Sequence, residues 1–411
     1  VRNASELDLP DFDPADTTLR GEDFHRVMTD LAGLSWLVRI PLGYLTLDAE
    51  AGEFFLRSRD AKFPGQTIAE LYGIESGPLR EEIDRNILHL DGAVHQRLRS
   101  LLNPFFTPKA ADRWRPLMRE LLAGLFADIA DRGSCEFVES IAKPYPSMTI
   151  ASVMGAPLSD APKLHEWSAW IQRQFDGPAL IVERARIEQA VEEFYAWCHQ
   201  LVARRRQDRG DDLVSSLIAA AEAGERLSDV ELINLVLNVL IGGVDTTQSQ
   251  LAHALRLFAG HPEQWQLLAA QPERAPRAVE EVLAYEPVTP FTARILTGDV
   301  IFRDILFPAG TVVMVCSLTG NRDGAQDIPF DITAERTNRL MTFGAGIHYC
   351  VGSNIARAEL EEALTYLAPR MPDLRLSGDA GDTEFGTVQG IYGLERLPLT
   401  WSAAISRRGF G

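Results

Sequence analysis

Apolar positions along most of this chain recur every three to four residues. The stretches "HQRLRSLLNPFF", "DRWRPLMRELLAGLFADIADRG", "EQAVEEFYAWCHQLVARRRQ" and "APRAVEEVLAYEP" follow i, i+3, i+4 spacing and predict amphipathic helices. Gly133 closes the second and Pro287 the fourth, as a left-handed stop and a residue without an N–H respectively. "LINLVLNVLIGGVDTTQSQLAHALRLFAG" is apolar on nearly all faces, which predicts a buried central helix. Gly242 and Gly243 interrupt it, each costing about 1 kcal/mol against alanine in a helix interior. Thr247-x-x-Gln250 reads as a capping box, so two helices broken at the glycines is the lesser, second reading of the same residues. Strand-like pieces are short and late: "RILTGDVIF", "LFPAGTVVMVCSL" and "LPLTWS". The prediction is a mainly α fold with a minor β component. No repeat or linker divides the chain, which leaves one domain or two open.

Composition changes this picture little. With 411 residues, 46% of them apolar and 24% charged, a large buried core is expected. The net charge of −18 argues against nucleic acid as a partner. The opening "VRNASELDLPDFDP" lacks an apolar signal core, and the longest apolar stretch, "LINLVLNVLIGGV", is interrupted by Asn234 and Asn238. A cytoplasmic, membrane-free, monomeric protein is expected. The four cysteines, Cys135, Cys198, Cys316 and Cys350, are widely spaced and form no C-x-x-C, which disfavours disulfides and zinc ribbons.

Cys350 is the informative one. It stands in "MTFGAGIHYCVGSNIARAEL", just before an amphipathic stretch, where helix dipole and free amides favour a thiolate. Gly344, Gly346 and Gly352 permit left-handed backbone and close approach to a flat ligand. An iron–sulfur cluster wants four cysteines and zinc wants more ligands than His348 and Cys350 supply. A haem iron takes one thiolate. A cysteine nucleophile with His348 as base, or a small buried cysteine in a turn, are the other readings of these residues taken alone.

The segment "FGAGIHYCVG" resembles the haem-binding loop of the cytochrome P450 family, Phe-x-x-Gly-x-His/Arg-x-Cys-x-Gly. The likeness runs from about residue 85 to 405 and looks closest to soluble bacterial camphor-type members. It implies the cytochrome P450 fold as one domain over 1–411 with 1–20 as an extended N-terminal arm, and haem b (iron protoporphyrin IX) held by Cys350 as axial ligand and by Phe343, Gly344, Gly346 and Gly352 in the loop. His95 and Arg99, i and i+4 in "HQRLR", together with Arg294 and His348, are implied as propionate partners. "GGVDTT" resembles the family's oxygen-side motif, making Asp245 and Thr246 the acid–alcohol pair that relays protons to bound oxygen. By position, Asn238, Ile241, Gly242, Pro290, Phe291, Ile391 and Tyr392 would line the substrate pocket. "KFPGQTIAELYGIESGPLREEI" and "WSAWIQRQFDGPALIVERARI" would form its lid. Asn238 could bond a substrate oxygen or simply a neighbouring helix.

One departure stands out. The family's Glu-x-x-Arg becomes Glu281-Val-Leu-Ala284, and the downstream Phe-Asp-x-x-Arg arginine is matched by Ala334 or Glu335. Removing one partner of a buried ion pair costs about 3–5 kcal/mol, whereas replacing the set can be near neutral. Arg277, Arg336 and Arg339 are candidate partners for Glu281, and haem binding is expected to survive.

The expected activity is a monooxygenase that inserts one oxygen atom from dioxygen into an apolar small molecule. Electrons would come from NAD(P)H through a ferredoxin reductase and a ferredoxin, docking on Arg97, Lys109, Arg113 and Arg357. The alternatives are a peroxide-using or isomerising haem-thiolate enzyme, which has less need of Asp245 and Thr246, and a non-catalytic haem or ligand sensor or carrier-protein partner.

Overall fold

A computed structural model describes residues 1–224, 227–322, 328–335, 339–378 and 382–402. Helices make up most of it, as the periodicity implied. The four amphipathic stretches form helices at Gly92–Leu102, Arg115–Ala127, Arg184–Gln207 and Ala275–Tyr285. Gly133 takes the left-handed conformation (φ 65°) that its position as a stop requires.

The central apolar run is two helices, Asp229–Gly243 and Asp245–Gly260, meeting at Val244 (φ −93°, ψ −71°). Ser228 and Glu231 form a capping box at its start. The Thr247–Gln250 box does not form. Thr247 is buried inside the second helix, and Gln250 donates instead to Glu286 O at 2.9 Å. Backbone bonds from Val244 to Leu240 (3.2 Å) and from Gln248 to Val244 (3.0 Å) keep the helix running on either side of the break. Taken together, Asp229–Gly260 is long and apolar enough to cross a membrane, contrary to the sequence reading, with a mean hydropathy of 1.4 over its most apolar window. That window is 61% buried inside the protein. Leu235, Leu240, Val244, Leu251 and Leu255 lie in the largest hydrophobic cluster, with residues from nearly all surrounding helices.

The β structure is not only late, as the sequence suggested. The largest sheet begins with an early hairpin, Leu37–Ile40 and Gly43–Thr46, then runs through Val312–Cys316 and Phe291–Leu296 to Ala61–Lys62. The hairpin escaped notice because "LVRIPLGYLT" is mostly apolar and lacks alternation. A Cβ on Gly43 would lie 2.1 Å from Val312 O, so the parallel pairing of these strands needs glycine there. The N-terminal arm is pinned rather than loose. Arg2–Asn3 pairs in parallel with Ile305–Phe307, whose hairpin partner is Val300–Phe302. Arg303 and Asp304 form the two-residue turn of that hairpin, both with positive φ (50° and 60°).

The two stretches expected to form a lid pack on each other. Ala69, Ile74, Leu79 and Ile83 from the first share a small separate cluster with Leu180 and Ile187 from the second. Arg184 adds bonds to Gly73 O (3.4 Å) and Ser76 O (3.1 Å).

Candidate functional site

The loop holding Cys350 is shaped by backbone bonds from Gly344 to Met341 O (2.7 Å) and from Cys350 to Phe343 O (2.9 Å). Gly344 and Gly346 have φ of 69° and 71°. Gly346 has a second reason to be glycine: a Cβ there would sit 2.8 Å from Leu56 O. The helix Ser353–Leu367 begins three residues after the cysteine. Burial pushes the Cys350 thiol up; the Gly352 and Ser353 amides beside the sulfur, with Arg99 and Arg357, pull it back toward the thiolate. Arg357 lies over the Phe343 ring (4.5 Å) and pairs with Glu280 (2.5 Å). Arg99 donates to Tyr349 O within the loop and to Asn103 (3.2 Å).

Two histidines and an arginine adjoin this loop. The rings of His95 and His348 stand 4.6 Å apart, and His348 contacts Asp91 at 3.2 Å. Burial, then Arg294 and His95, bring His348 down to about 4. Burial also lowers Arg294 to about 10, and its guanidinium donates to Ala293 O (2.9 Å). Both ring nitrogens of His95 are buried and bond to no protein group. Buried polar groups without partners cost free energy that a bound hydrogen-bonding group relieves. His95, Arg294 and His348 therefore fit a group carrying carboxylates, and Cys350 fits a metal needing one protein ligand. Among the described residues no three His, Cys, Asp or Glu side chains cluster as a metal site.

At the break in the central helix, the carbonyls that lose helical partners are bonded by side chains. Gln172 donates to Ile241 O and Thr246 to Gly242 O, both at 2.8 Å. Asp245 accepts from Ser168. Its carboxyl is raised by burial, partly offset by Ser168 and by His165, which itself contacts Gln248 at 2.8 Å. Gly242 is exposed within an otherwise buried helix, and a Cβ there would meet open space. Gly243 instead permits close packing, since a Cβ would approach Ile150 Cδ1 to 2.5 Å. Glu359 is buried, and that burial raises its carboxyl well above the ordinary range despite the Thr149 and Thr247 hydroxyls. Sequence reading missed Ser168, Gln172 and Glu359. A polar residue on an otherwise packed helix face was the available signal.

The expected pocket residues divide. Gly242, Asn238, Phe291 and Ile391 keep exposed surface, while Ile241, Pro290 and Tyr392 are buried. Tyr392 does not face a pocket. Its hydroxyl accepts from Gly21 N at 2.6 Å and its ring packs on Phe24 and His253 in the N-terminal core. Phe291 lies against Phe12 and Phe24 in the same cluster. The Asn238 amide donates to Asn234 O (2.6 Å) and Oδ1 (2.9 Å), both on its own helix rather than on a neighbouring one.

One further expectation is corrected. Arg277 bonds Thr333 O (3.2 Å) and Glu335 (3.0 Å), and Arg339 lies over Tyr349, so neither takes Glu281. Glu281 accepts from Asp331 N at 3.1 Å; Arg336 lies outside the described residues. Of the expected docking cations, Arg97 pairs with Glu231, Arg113 with Asp211 and Arg357 with Glu280. Lys109 is exposed. Nearby acids thus neutralise most of that patch.

A cysteine loop beside two histidines and two arginines, with a broken, threonine-bearing helix in the core, is the arrangement the resemblance implied. The family model described as "Cytochrome P450" matches residues 78–270 and 275–367, and the chain belongs to that family. Luteothin monooxygenase of Streptomyces thioluteus is 33% identical over 377 residues, 90% of this chain and 91% of its own. Mycinamicin IV hydroxylase/epoxidase of Micromonospora griseorubida is 32% identical over 77% of this chain and 79% of its own. The crystal structure of CalO2 superposes with a TM-score of 0.89 at 28% identity, covering 96% of this chain and all of that one. P450BioI, solved with an acyl carrier protein bearing hexadec-9Z-enoic acid, gives 0.85 at 25% identity over 93% and 99%. The fold is the cytochrome P450 fold, mainly α with small sheets, and the chain is an oxidoreductase of the monooxygenase class with haem as its family cofactor.

Proposed function

We propose that this protein holds haem b through Cys350 and oxidises a predominantly apolar small molecule with dioxygen. Electrons would reach it from NAD(P)H through a ferredoxin reductase and a ferredoxin. The observation that carries the reading is His95, buried with both ring nitrogens unbonded, between His348 of the cysteine loop and the Arg99 that bonds it. His95, Arg99, Arg294 and His348 are the residues proposed for the propionates, and Phe343, Gly344, Gly346 and Gly352 for shaping the loop around the thiolate. When bound, the haem iron supplies dioxygen binding and reductive oxygen activation.

The rest is the chain's own work. The raised Asp245 carboxyl and the Thr246 hydroxyl hold a proton where the core helix opens, Asp245 as donor and Thr246 as carrier. Ser168 and Gln172 hold that opening in shape. Gly242 leaves room beside it, and Asn238, Ile391 and one face of Phe291 are proposed to meet substrate. The Asn238 side-chain oxygen takes no hydrogen bond from the described residues and is free to accept one from a substrate hydroxyl. Relatives named for luteothin and mycinamicin IV chemistry support a secondary metabolite as substrate class. A monomeric, cytoplasmic protein with one domain over 1–411 completes the reading.

The test is reconstitution with haem, followed by the carbon monoxide spectrum of the reduced protein and a screen for ligand-induced spin shift across terpenoids, steroids, macrolides and aromatic acids. A thiolate-type Soret band, and product formation requiring both NAD(P)H and dioxygen, are expected. Absence of the thiolate band overturns the assignment of Cys350. Turnover with peroxide alone, and none with NAD(P)H, would place the protein among peroxide-using haem-thiolate enzymes.

A further inference from the structure

The helix Ala275–Tyr285 ends against the start of the cysteine loop, and its side chain there, Ala284, is fully buried and brings no polar group. A helix end leaves its last carbonyls without partners. Here they are met from two directions. The Thr342 hydroxyl donates to Leu283 O at 2.7 Å. The Asn321 amide donates to Thr342 Oγ1 at 2.9 Å and lies 3.4 Å from Ala284 O and 3.5 Å from Leu283 O. Its oxygen accepts from Met341 N at 2.7 Å. Asn321 itself follows the short helix Ser317–Gly320, to which its own N–H bonds (Ser317 O, 2.9 Å).

We propose that Asn321 is a positioning residue for the loop cysteine. A continuous chain of hydrogen bonds runs from the helix end, through Thr342 and Asn321, to Met341 N. From there Met341 O receives Gly344 N, and Phe343 O receives Cys350 N. Both ends of the Asn321 side chain are used and the residue is buried, so no solvent competes for these bonds. An apolar side chain there would leave Met341 N–H without an acceptor and Ala284 O without a donor. The proposal rests on the reading of Cys350 as the axial ligand.

The experiment uses the full chain reconstituted with haem, reduced and bound to carbon monoxide. It follows conversion of the thiolate-type to the thiol-type Soret band in dilute guanidinium, with far-UV circular dichroism recorded in parallel. At about 1 kcal/mol net per hydrogen bond, Thr342→Val, which loses the bonds to Leu283 O and from Asn321, and Asn321→Leu, which loses those to Thr342 and from Met341 N, should each speed conversion about thirtyfold. Thr342→Ser, which keeps the hydroxyl, should convert at the parent rate. Helical signal should be unchanged during conversion, which separates loop displacement from global unfolding. If Asn321→Leu does not take up haem, the Thr342→Val and Thr342→Ser pair still decides the matter. Parent-like rates in Asn321→Leu and Thr342→Val, or equal rates in Thr342→Val and Thr342→Ser, would overturn the proposal. A parent protein that never shows the thiolate band would instead overturn the assignment of Cys350.

Discussion

Gly344 and Gly346 offer a controlled comparison within one loop. Both are left-handed, at φ 69° and 71°. A Cβ on Gly344 would find its nearest contact at 3.9 Å, from His348 O. A Cβ on Gly346 would lie 2.8 Å from Leu56 O and 3.3 Å from Arg57 Cα, backbone atoms that cannot rotate away. The left-handed conformation costs an alanine roughly 1–2 kcal/mol. Loss of glycine's freedom in the unfolded chain returns about 0.4–1 kcal/mol. Gly344→Ala should therefore destabilise by about 1 kcal/mol or less. Gly346→Ala carries the same terms plus overpacking against the fixed backbone at the end of the helix Ala49–Arg57, about 1–3 kcal/mol. The expected difference between the two variants is thus about 1–3 kcal/mol, with Gly346→Ala the weaker protein. Urea unfolding followed by tryptophan fluorescence measures it, with the slope checked for constancy. Equal midpoints for the two variants would refute the claim that the loop is set by its approach to Leu56.

Asp245→Asn should lower product formed per NAD(P)H by about a hundredfold or more while leaving the thiolate-type spectrum intact; an unchanged yield would remove Asp245 from proton delivery. Acid stability should depend on buried groups of opposite sign. Burial lowers His89 and His253 to about 4, so the unfolded chain binds protons first as pH falls below 6.5 and stability is lost between about 6.5 and 4. Burial raises Glu82 to about 7, so the folded chain binds a proton first and stability is gained between about 7 and 4.5. In that window His253→Gln should flatten the acid loss and Glu82→Gln should steepen it, each by up to about 1.4 kcal/mol per pH unit, as read from urea midpoints against pH. Glu286 is buried between His25 (2.9 Å) and Arg256 (2.5 Å), so Glu286→Gln should cost about 3–5 kcal/mol in the same assay. Asn238→Leu should weaken binding of hydroxylated ligands about tenfold in spin-shift titrations, roughly one charge-free hydrogen bond, and spare fully apolar ones; equal losses for both would remove the polar contact.

Local rules and local chemistry are what this sequence determined by itself. Helical periodicity located the long helices, because a side chain's face on a helix depends only on spacing along the chain. Glycines around Cys350, and the order of His95, Arg99, Asp245, Arg294 and the cysteine loop, made the family and its class of chemistry legible before any coordinate. Contacts between distant segments were decided only by the tertiary structure. The early hairpin became visible through its pairing with Val312–Cys316. Tyr392 looked like a pocket residue by position, yet its hydroxyl is claimed by Gly21, 371 residues away in sequence. Ser168 and Gln172 could not be linked to Asp245 and Ile241 by any spacing rule, since the bonds cross between helices. The place of Ala284 shows the same division. Its sequence reports that an arginine is absent; only the fold brings Asn321 and Thr342 to that helix end, because hydrogen bonds depend on where chains meet and not on where they are written.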